Sequence, residues 1–271
     1  MEYSVLLSVY QKERAEYLRL AMDSIWKQTV GTDDFVLVCD GPLTPELDAV
    51  IEEMEREHPD TLRVVRLKEN GGLGNALNAG LAYCRHELVA RMDSDDIACP
   101  DRCERQLQVF REHPEIGLCS GTVIEFMESP DKAVGRRELP ISHEELLRFS
   151  RRRNPCNHPS VMFRKTEVKA AGGYNEKYHL FEDYYLWVRM LMKGTRARNI
   201  QAPVLYMRTA ADFYDRRGGI TYAKDMLAFH WWMKETGWIS MATFLTGAVP
   251  HAVVCVLPNV LRKGFYRLLH T

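Results

Sequence analysis

The chain reads as an α/β protein built on a mostly parallel central sheet flanked by helices. Three observations predict this. Over the first 113 residues, strand-like and helix-like segments alternate without a break. The strand segments are short continuous apolar runs, the mark of buried strands. Each run ends in a polar or glycine-rich loop, and in such sheets the loops beyond the carboxyl ends of the strands bind ligands.

Residues 3–9 form the first apolar run, with β-branched members. Leu18, Ala21, Met22, Ile25 and Trp26 recur at helical spacing and predict a helix over 15–28. A second strand spans 34–39 and closes on the turn signal Asp40-Gly41-Pro42. Residues 45–57 predict a helix whose acidic first half suits the helix dipole. A strand at 61–67, a helix at 74–85, a strand at 87–92 and a helix at 100–113 follow, the last with Pro100 near its first turn. Beyond residue 114 the pattern changes. Residues 116–126 read as one or two strands. Residues 129–157 are polar and basic, with a short helix at 142–149. A strand at 160–163 and a helix at 166–171, closed by Gly172-Gly173, come next. Phe181-Glu182-Asp183 opens a helix with Leu186, Trp187, Met190 and Leu191 on its apolar face. A strand at 203–207 ends this part.

These patterns divide the chain into a first half, 1–115, a second half of the same domain, 116–215, and a helical extension, 216–271. Between Glu235 and Arg262 there is no Asp, Glu, Lys or Arg. A bilayer span needs roughly 20 apolar residues, but Gly247, Pro250, His251 and Pro258 argue against a clean one. A helix pair lying on a membrane surface, and an ordinary packed or oligomer-forming helix, are the other outcomes. Trp231, Trp232, Trp238, Phe265 and Tyr266, with Arg262, Lys263 and Arg267, suit an interface with anionic lipid.

The formal net charge of −1 provides no global basic field, which argues against a nucleic-acid binder. Basic residues cluster locally at Arg136-Arg137, Arg151-Arg152-Arg153, Arg216-Arg217 and Arg262-Lys263. Most such clusters are solvated surface; one or two could meet a phosphate. The 7 cysteines form no CxxC pair, so neither a zinc site nor a disulfide framework is expected, and reduced thiols in a cytosolic protein are. The N-terminus lacks a basic n-region, and no signal peptide is expected.

Four segments carry candidate chemistry. Asp93-Ser94-Asp95-Asp96 leaves the fourth strand. Its carboxylates need partners, and Mg²⁺ or Mn²⁺ sharing its shell with phosphates is one; an acidic turn capping the next helix is the other reading. Asn70-Gly71-Gly72-Leu73-Gly74-Asn75 precedes a helix, where glycine permits close approach and the helix terminus favours an anion. It is neither a dinucleotide fingerprint nor a Walker loop, because the third small residue and the Gly-Lys-Ser/Thr are missing. His158, held extended before Pro159, either points into a site or packs. Glu182-Asp183 either caps its helix or supplies a general base. Arg208, Arg216 and Arg217 follow the last strand and suit phosphate or surface carboxylates.

Together these segments resemble family 2 glycosyltransferases of the GT-A fold, of the branch that builds bacterial capsule, exopolysaccharide and O-antigen chains. The matching pieces run from Ser4-Val5-Leu6-Leu7-Ser8-Val9-Tyr10 through Asp40-Gly41, the glycine loop, Ala90-Arg91-Met92-Asp93-Ser94-Asp95-Asp96, His158-Pro159-Ser160-Val161-Met162-Phe163-Arg164 and Gly172-Gly173-Tyr174 to Glu182-Asp183-Tyr184-Tyr185-Leu186-Trp187. They cover residues 3–208 in the expected order. The resemblance implies a nucleotide-binding half and an acceptor half. It implies nucleotide contacts from Ser8, Tyr10, Glu13, Asp40, Asn70, Gly72, Asn75 and Asp93. Asp95 would ligate Mn²⁺ or Mg²⁺, with Asp93 and Asp96 as further candidates. Asp183, or Glu182 beside it, would be the base, and His158 and Arg208 would face the sugars. The donor would be a nucleotide sugar, usually of uridine. The acceptor would be a saccharide, free or lipid-linked, and the reaction would invert the anomeric centre. The protein would work in the cytoplasm, peripheral at the inner membrane face. Two departures stand out: Ser8-Val9-Tyr10-Gln11 replaces the frequent Pro-x-Tyr-Asn, and no histidine closely follows Arg208. A sugar-1-phosphate nucleotidyltransferase would share the topology, but the first loop has no glycine. A non-catalytic nucleotide-sugar binder would be expected to lose an acidic site, and both are intact.

Overall fold

The computed structural model describes residues 1–178, 180–209 and 218–256. Its first half is the expected alternation: β1 Tyr3–Val9, α1 Ala15–Trp26, β2 Asp34–Cys39, α2 Pro45–Glu57, β3 Leu62–Arg66, α3 Leu73–Leu81 and β4 Leu88–Asp93. These four strands pair in parallel in the order β3-β2-β1-β4. A two-residue strand, β5 Ile97–Ala98, and α4 Arg102–Glu112 complete it. Helix α2 starts where Thr44 accepts a hydrogen bond from the Leu47 amide with Pro45 in the first turn.

The second half holds β6 Ile116–Phe126, β7 Ala133–Arg137, α5 His143–Phe149, β8 Met162–Arg164, α6 Lys165–Ala170, α7 Glu182–Met192 and β9 Arg196–Arg208. It extends the sheet as β4-β8-β6-β9-β5 with mixed pairing: β8 is antiparallel to β4 and β6, while β6 and β9 are parallel. Residues 116–126 are thus one strand. β9 begins seven residues before the expected 203. Its early part alternates exposed Arg196 with buried Ala197 and Asn199, and the polar Asn199 hides the apolar signal. The Asn199 side-chain NH2 donates to the carbonyls of Pro140 and Pro155 at 2.8 and 3.1 Å. β7, an exposed edge strand without an apolar pattern, was not foreseen.

Alternate residues of each central strand feed opposite layers. Val5, Leu7 and Val9 face α1, α2 and α4, while Leu6, Val36 and Val38 face α3 and α7. Helix α3 lies close to the sheet because Gly80 has no Cβ, which would come 2.4 Å from Leu6 Cδ1. Helix α7 is apolar on two sides. Leu186, Trp187, Met190 and Leu191 pack on the sheet. Tyr184, Tyr185 and Val188 pack on the extension, against Phe229 and Met233 of α8 Ile220–Glu235. From Met241, an α-turn (α9 Met241–Thr243), a π-wound stretch (Phe244–Ala248) and α10 Val249–Val256 run on continuously. No helix among the described residues is long and apolar enough to cross a membrane. Arg216, Arg217, Arg262, Lys263, Phe265, Tyr266 and Arg267 lie outside the described residues. All seven cysteines are buried, and none is in a disulfide.

Candidate active site

The four loops after β1 to β4 gather on one sheet edge because the strands are parallel and in register. Ser8 on β1 stands beside Asp93 on β4, and Val9 beside Cys39, just before Asp40. Tyr10 is exposed at this edge. Glu13 joins two of the loops: its carboxylate accepts a hydrogen bond from the Ser94 hydroxyl at 2.7 Å.

The aspartate loop rests on a buried cation. Arg91 is fully buried, and its guanidinium pairs with Asp93. Beneath it Arg102, also fully buried, donates to the Arg91 carbonyl at 2.6 Å and to Gln106 at 3.1 Å. Buried cations are costly unless counter-charged, and the aspartates supply that charge from above. Asp96 is buried: one carboxylate oxygen accepts the Arg208 amide at 2.8 Å, and the other has no hydrogen-bond partner among the described residues. Arg208 also donates from Nε to the Asp95 carbonyl at 3.1 Å and stacks over Tyr17 at 3.7 Å. It therefore fastens the loop to β9. Burial, then the neighbouring charges of Asp93 and Glu13, push the Asp95 carboxyl up to about 7. Burial, then Asp95 and Asp93, push Asp96 well above the ordinary carboxylate range.

The glycine loop is organised by carboxylates of the chain itself. Asp40 accepts the amides of Gly71 and Gly72 at 2.8 and 3.1 Å, and the Asn70 side chain donates to its carbonyl at 3.1 Å. Gly72 has φ +89°, the left-handed region that glycine tolerates best. Glu176 lies over it and accepts the Asn75 amide at 3.4 Å. The anion foreseen at the start of α3 thus has side-chain stand-ins, Asp40 and Glu176.

The second acidic site opens α7. Its N-cap position is Phe181, without a side-chain hydrogen bond, so neither acid caps the helix in the ordinary way. The Asp183 carboxylate accepts the Asn154 side-chain amide at 2.6 Å and the Tyr184 amide at 2.7 Å. Glu182 turns back to the Leu180 amide at 3.0 Å. His158 and Tyr174 are paired, with Nε2 3.0 Å from the hydroxyl oxygen. His158 also packs edge-on against Trp187. Burial, then the Arg91 charge, holds its imidazole well below the ordinary value, so it is neutral near pH 7. The Tyr174 hydroxyl is pushed up by burial and is within electrostatic reach of Arg91, Asp183 and Asp93 together.

Among the described residues, no three His, Cys, Asp or Glu side chains are grouped to hold a metal ion by themselves. The donor set around Asp93 and Asp95 nevertheless fits a hard divalent cation that completes its shell with phosphate oxygens. The raised Asp95 carboxyl, beside a carboxylate oxygen of Asp96 that has no hydrogen-bond partner among the described residues, marks an excess of negative charge.

Sequence reasoning missed four residues here. Arg91 was legible as a charge inside an apolar strand. Tyr174 was legible as part of the Gly172-Gly173-Tyr174 piece, though without a role, whereas Asn154 and Glu176 carry no local signal, because each meets its partner only through the fold.

Residues 4–169 match the family described as glycosyl transferase family 2, and the chain belongs to it. It is 38% identical over 271 residues to the amylovoran biosynthesis glycosyltransferase AmsE of Erwinia amylovora, covering 97% of this chain and 100% of that one. It is 36% identical over 267 residues to the UDP-Gal:alpha-D-GlcNAc-diphosphoundecaprenol beta-1,3-galactosyltransferase of Escherichia coli, covering 98% and 95%. The mannosyltransferase PcManGT of Pyrobaculum calidifontis, solved in complex with GDP-Man and Mn²⁺, superposes with a TM-score of 0.65 at 18% identity, over 93% of this chain and 69% of that one. The architecture is GT-A, with a mixed sheet flanked by helices.

Proposed function

We propose that this glycosyltransferase moves a hexose from a UDP-sugar to a hydroxyl of a lipid-linked saccharide in bacterial surface polysaccharide synthesis, with inversion at the anomeric carbon. The observation that supports the reading is one segment that joins the two acidic sites: Asn154 holds Asp183 at 2.6 Å, and the same segment runs on into β8, which pairs with β4, the strand that ends at Asp93. The relatives support its chemistry: one is named for a UDP-galactose donor and a diphosphoundecaprenol-linked acceptor, the other for amylovoran biosynthesis.

Asp93 and Asp95 would hold Mn²⁺ or Mg²⁺, with Asp96 behind them. Such an ion, when bound, neutralises charge on the departing diphosphate. The protein's own groups do the rest. Ser8, Tyr10, Glu13 and Asp40 border the nucleotide on the loop edge, and Asn70, Gly72 and Asn75 shape the adjoining turn. Asp183, oriented by Asn154, takes the proton of the acceptor hydroxyl. That oxygen attacks the anomeric carbon from the side opposite the diphosphate, so the configuration inverts. Neutral His158 holds the Tyr174 hydroxyl. Peripheral attachment at the inner membrane face belongs to the same reading, and co-sedimentation with lipid vesicles checks it.

Asp183→Asn tests the assignment. Transfer is expected to fall about 10³-fold or more while UDP binding stays within about twofold, as for a group acting in the transition state. Retained turnover would remove Asp183 from this role.

A further inference from the structure

We propose that Arg151, Arg152 and Arg153 bind the diphosphate of the lipid-linked acceptor. The site rests on the acceptor reading above and adds where the acceptor's charged link is held.

The three side chains are exposed, and among the described residues no carboxylate pairs with them. Three adjacent guanidinium groups repel one another unless an anion lies among them. Their backbone is nevertheless fixed. A tight turn after α5 is closed by the amides of Arg152 and Arg153 on the Phe149 carbonyl, at 2.9 and 3.0 Å. The buried Ser150 anchors that turn. Its carbonyl accepts the Tyr184 hydroxyl at 2.7 Å and the Trp238 indole at 3.4 Å.

The turn is therefore clamped to both α7 and the extension, and its neighbours match the two ends of a lipid-linked sugar. On one side, the next residue is Asn154, whose amide holds Asp183 at 2.6 Å. In a sugar diphosphate acceptor only one pyranose ring separates the attacked hydroxyl from the diphosphate. The charged link must then lie a ring's width from the base, and the arginines start one residue beyond its hydrogen-bond partner. On the other side, Arg153 lies within electrostatic reach of His251 on α10. The same helical run leaves Met241, Leu245, Val253 and Val256 exposed, a surface suited to the lipid chain. Planar guanidinium groups bind phosphate oxygens in bidentate fashion.

The test is calorimetric titration of the full-length protein with two probes, an alkyl-diphosphate N-acetylglucosamine and the alkyl N-acetylglucosaminide that lacks the diphosphate. In the triple variant Arg151→Gln, Arg152→Gln, Arg153→Gln, affinity for the diphosphate probe is expected to fall at least about tenfold. Affinity for the plain glycoside should change by less than about twofold, and a triple lysine variant, which keeps the charge but loses the bidentate fork, should have a diphosphate affinity between those of the wild type and the glutamine variant. Equal weakening of both probes, or no weakening, overturns the site while leaving the acceptor reading intact. Wild-type protein that binds neither probe overturns both. Phosphatidylglycerol vesicles form a third arm: a glutamine variant that loses vesicle binding but keeps the diphosphate probe assigns the patch to membrane lipid and refutes the proposal.

Discussion

Removing the Asp95 charge should stabilise the metal-free protein, and only at high pH. The folded state holds this carboxyl at about 7 against an ordinary 3.8. Each pH unit between those values is worth about 1.4 kcal/mol, so ionising Asp95 in place costs on the order of 4 kcal/mol. Its partial exposure lets solvent screen the charge, which brings the expected effect nearer 2 kcal/mol. The sign follows from linkage: the folded state binds the proton more tightly than the unfolded one. The stability associated with the neutral acid is complete below about 4 and is lost as pH rises through about 7. Asp95→Asn mimics the neutral acid and escapes this loss. In EDTA, thermal melts from pH 4 to 8.5 should give coincident transitions at the acid end and a variant several degrees more stable at the basic end. Adding Mn²⁺ at pH 8 should raise the wild-type transition and leave that of the variant nearly unchanged. A difference that does not vary with pH, or a wild type that gains on the variant as pH rises, would refute the reasoning.

Arg91→Leu should cost about 3–5 kcal/mol in urea denaturation, because Asp93 and Asp96 lose the buried cation beneath them. Adding Asp93→Asn should recover part of that loss, and a total cost under about 1 kcal/mol would show that the pair does not support the loop. Gly72→Ala should cost about 1–2 kcal/mol, since its φ of +89° disfavours a side chain and the new Cβ would come 2.4 Å from Glu176 Oε1. Glu176→Ala should relieve the contact but not the backbone cost; full recovery in the double variant would place the whole effect in the contact.

Much of the first half was legible because its signals are local. Buried strands must be apolar throughout, and a parallel order requires helices between them, so β1 to β4 and their shared loop edge followed from residue spacing. The aspartate and glycine loops were found the same way, each at a strand end. In the second half the signals fade. β9 is stabilised by neighbours on both sides, so it tolerates Asn199 and exposed arginines, and its length shows only once β6 lies beside it. Helix α7 looked one-faced in sequence, yet the extension buries its second face through Tyr184, Tyr185 and Val188.

The amino-acid order alone determined the fold class, the family resemblance and two acidic segments, because backbone periodicity and short motifs act over a few residues. Only the tertiary structure decided what those acids do to one another. Burial raises Asp95 and Asp96, Arg91 braces Asp93 from below, and Asn154 orients Asp183. Proton affinity depends on the charges and the dielectric within a few ångströms, and those are set by segments far apart in the chain.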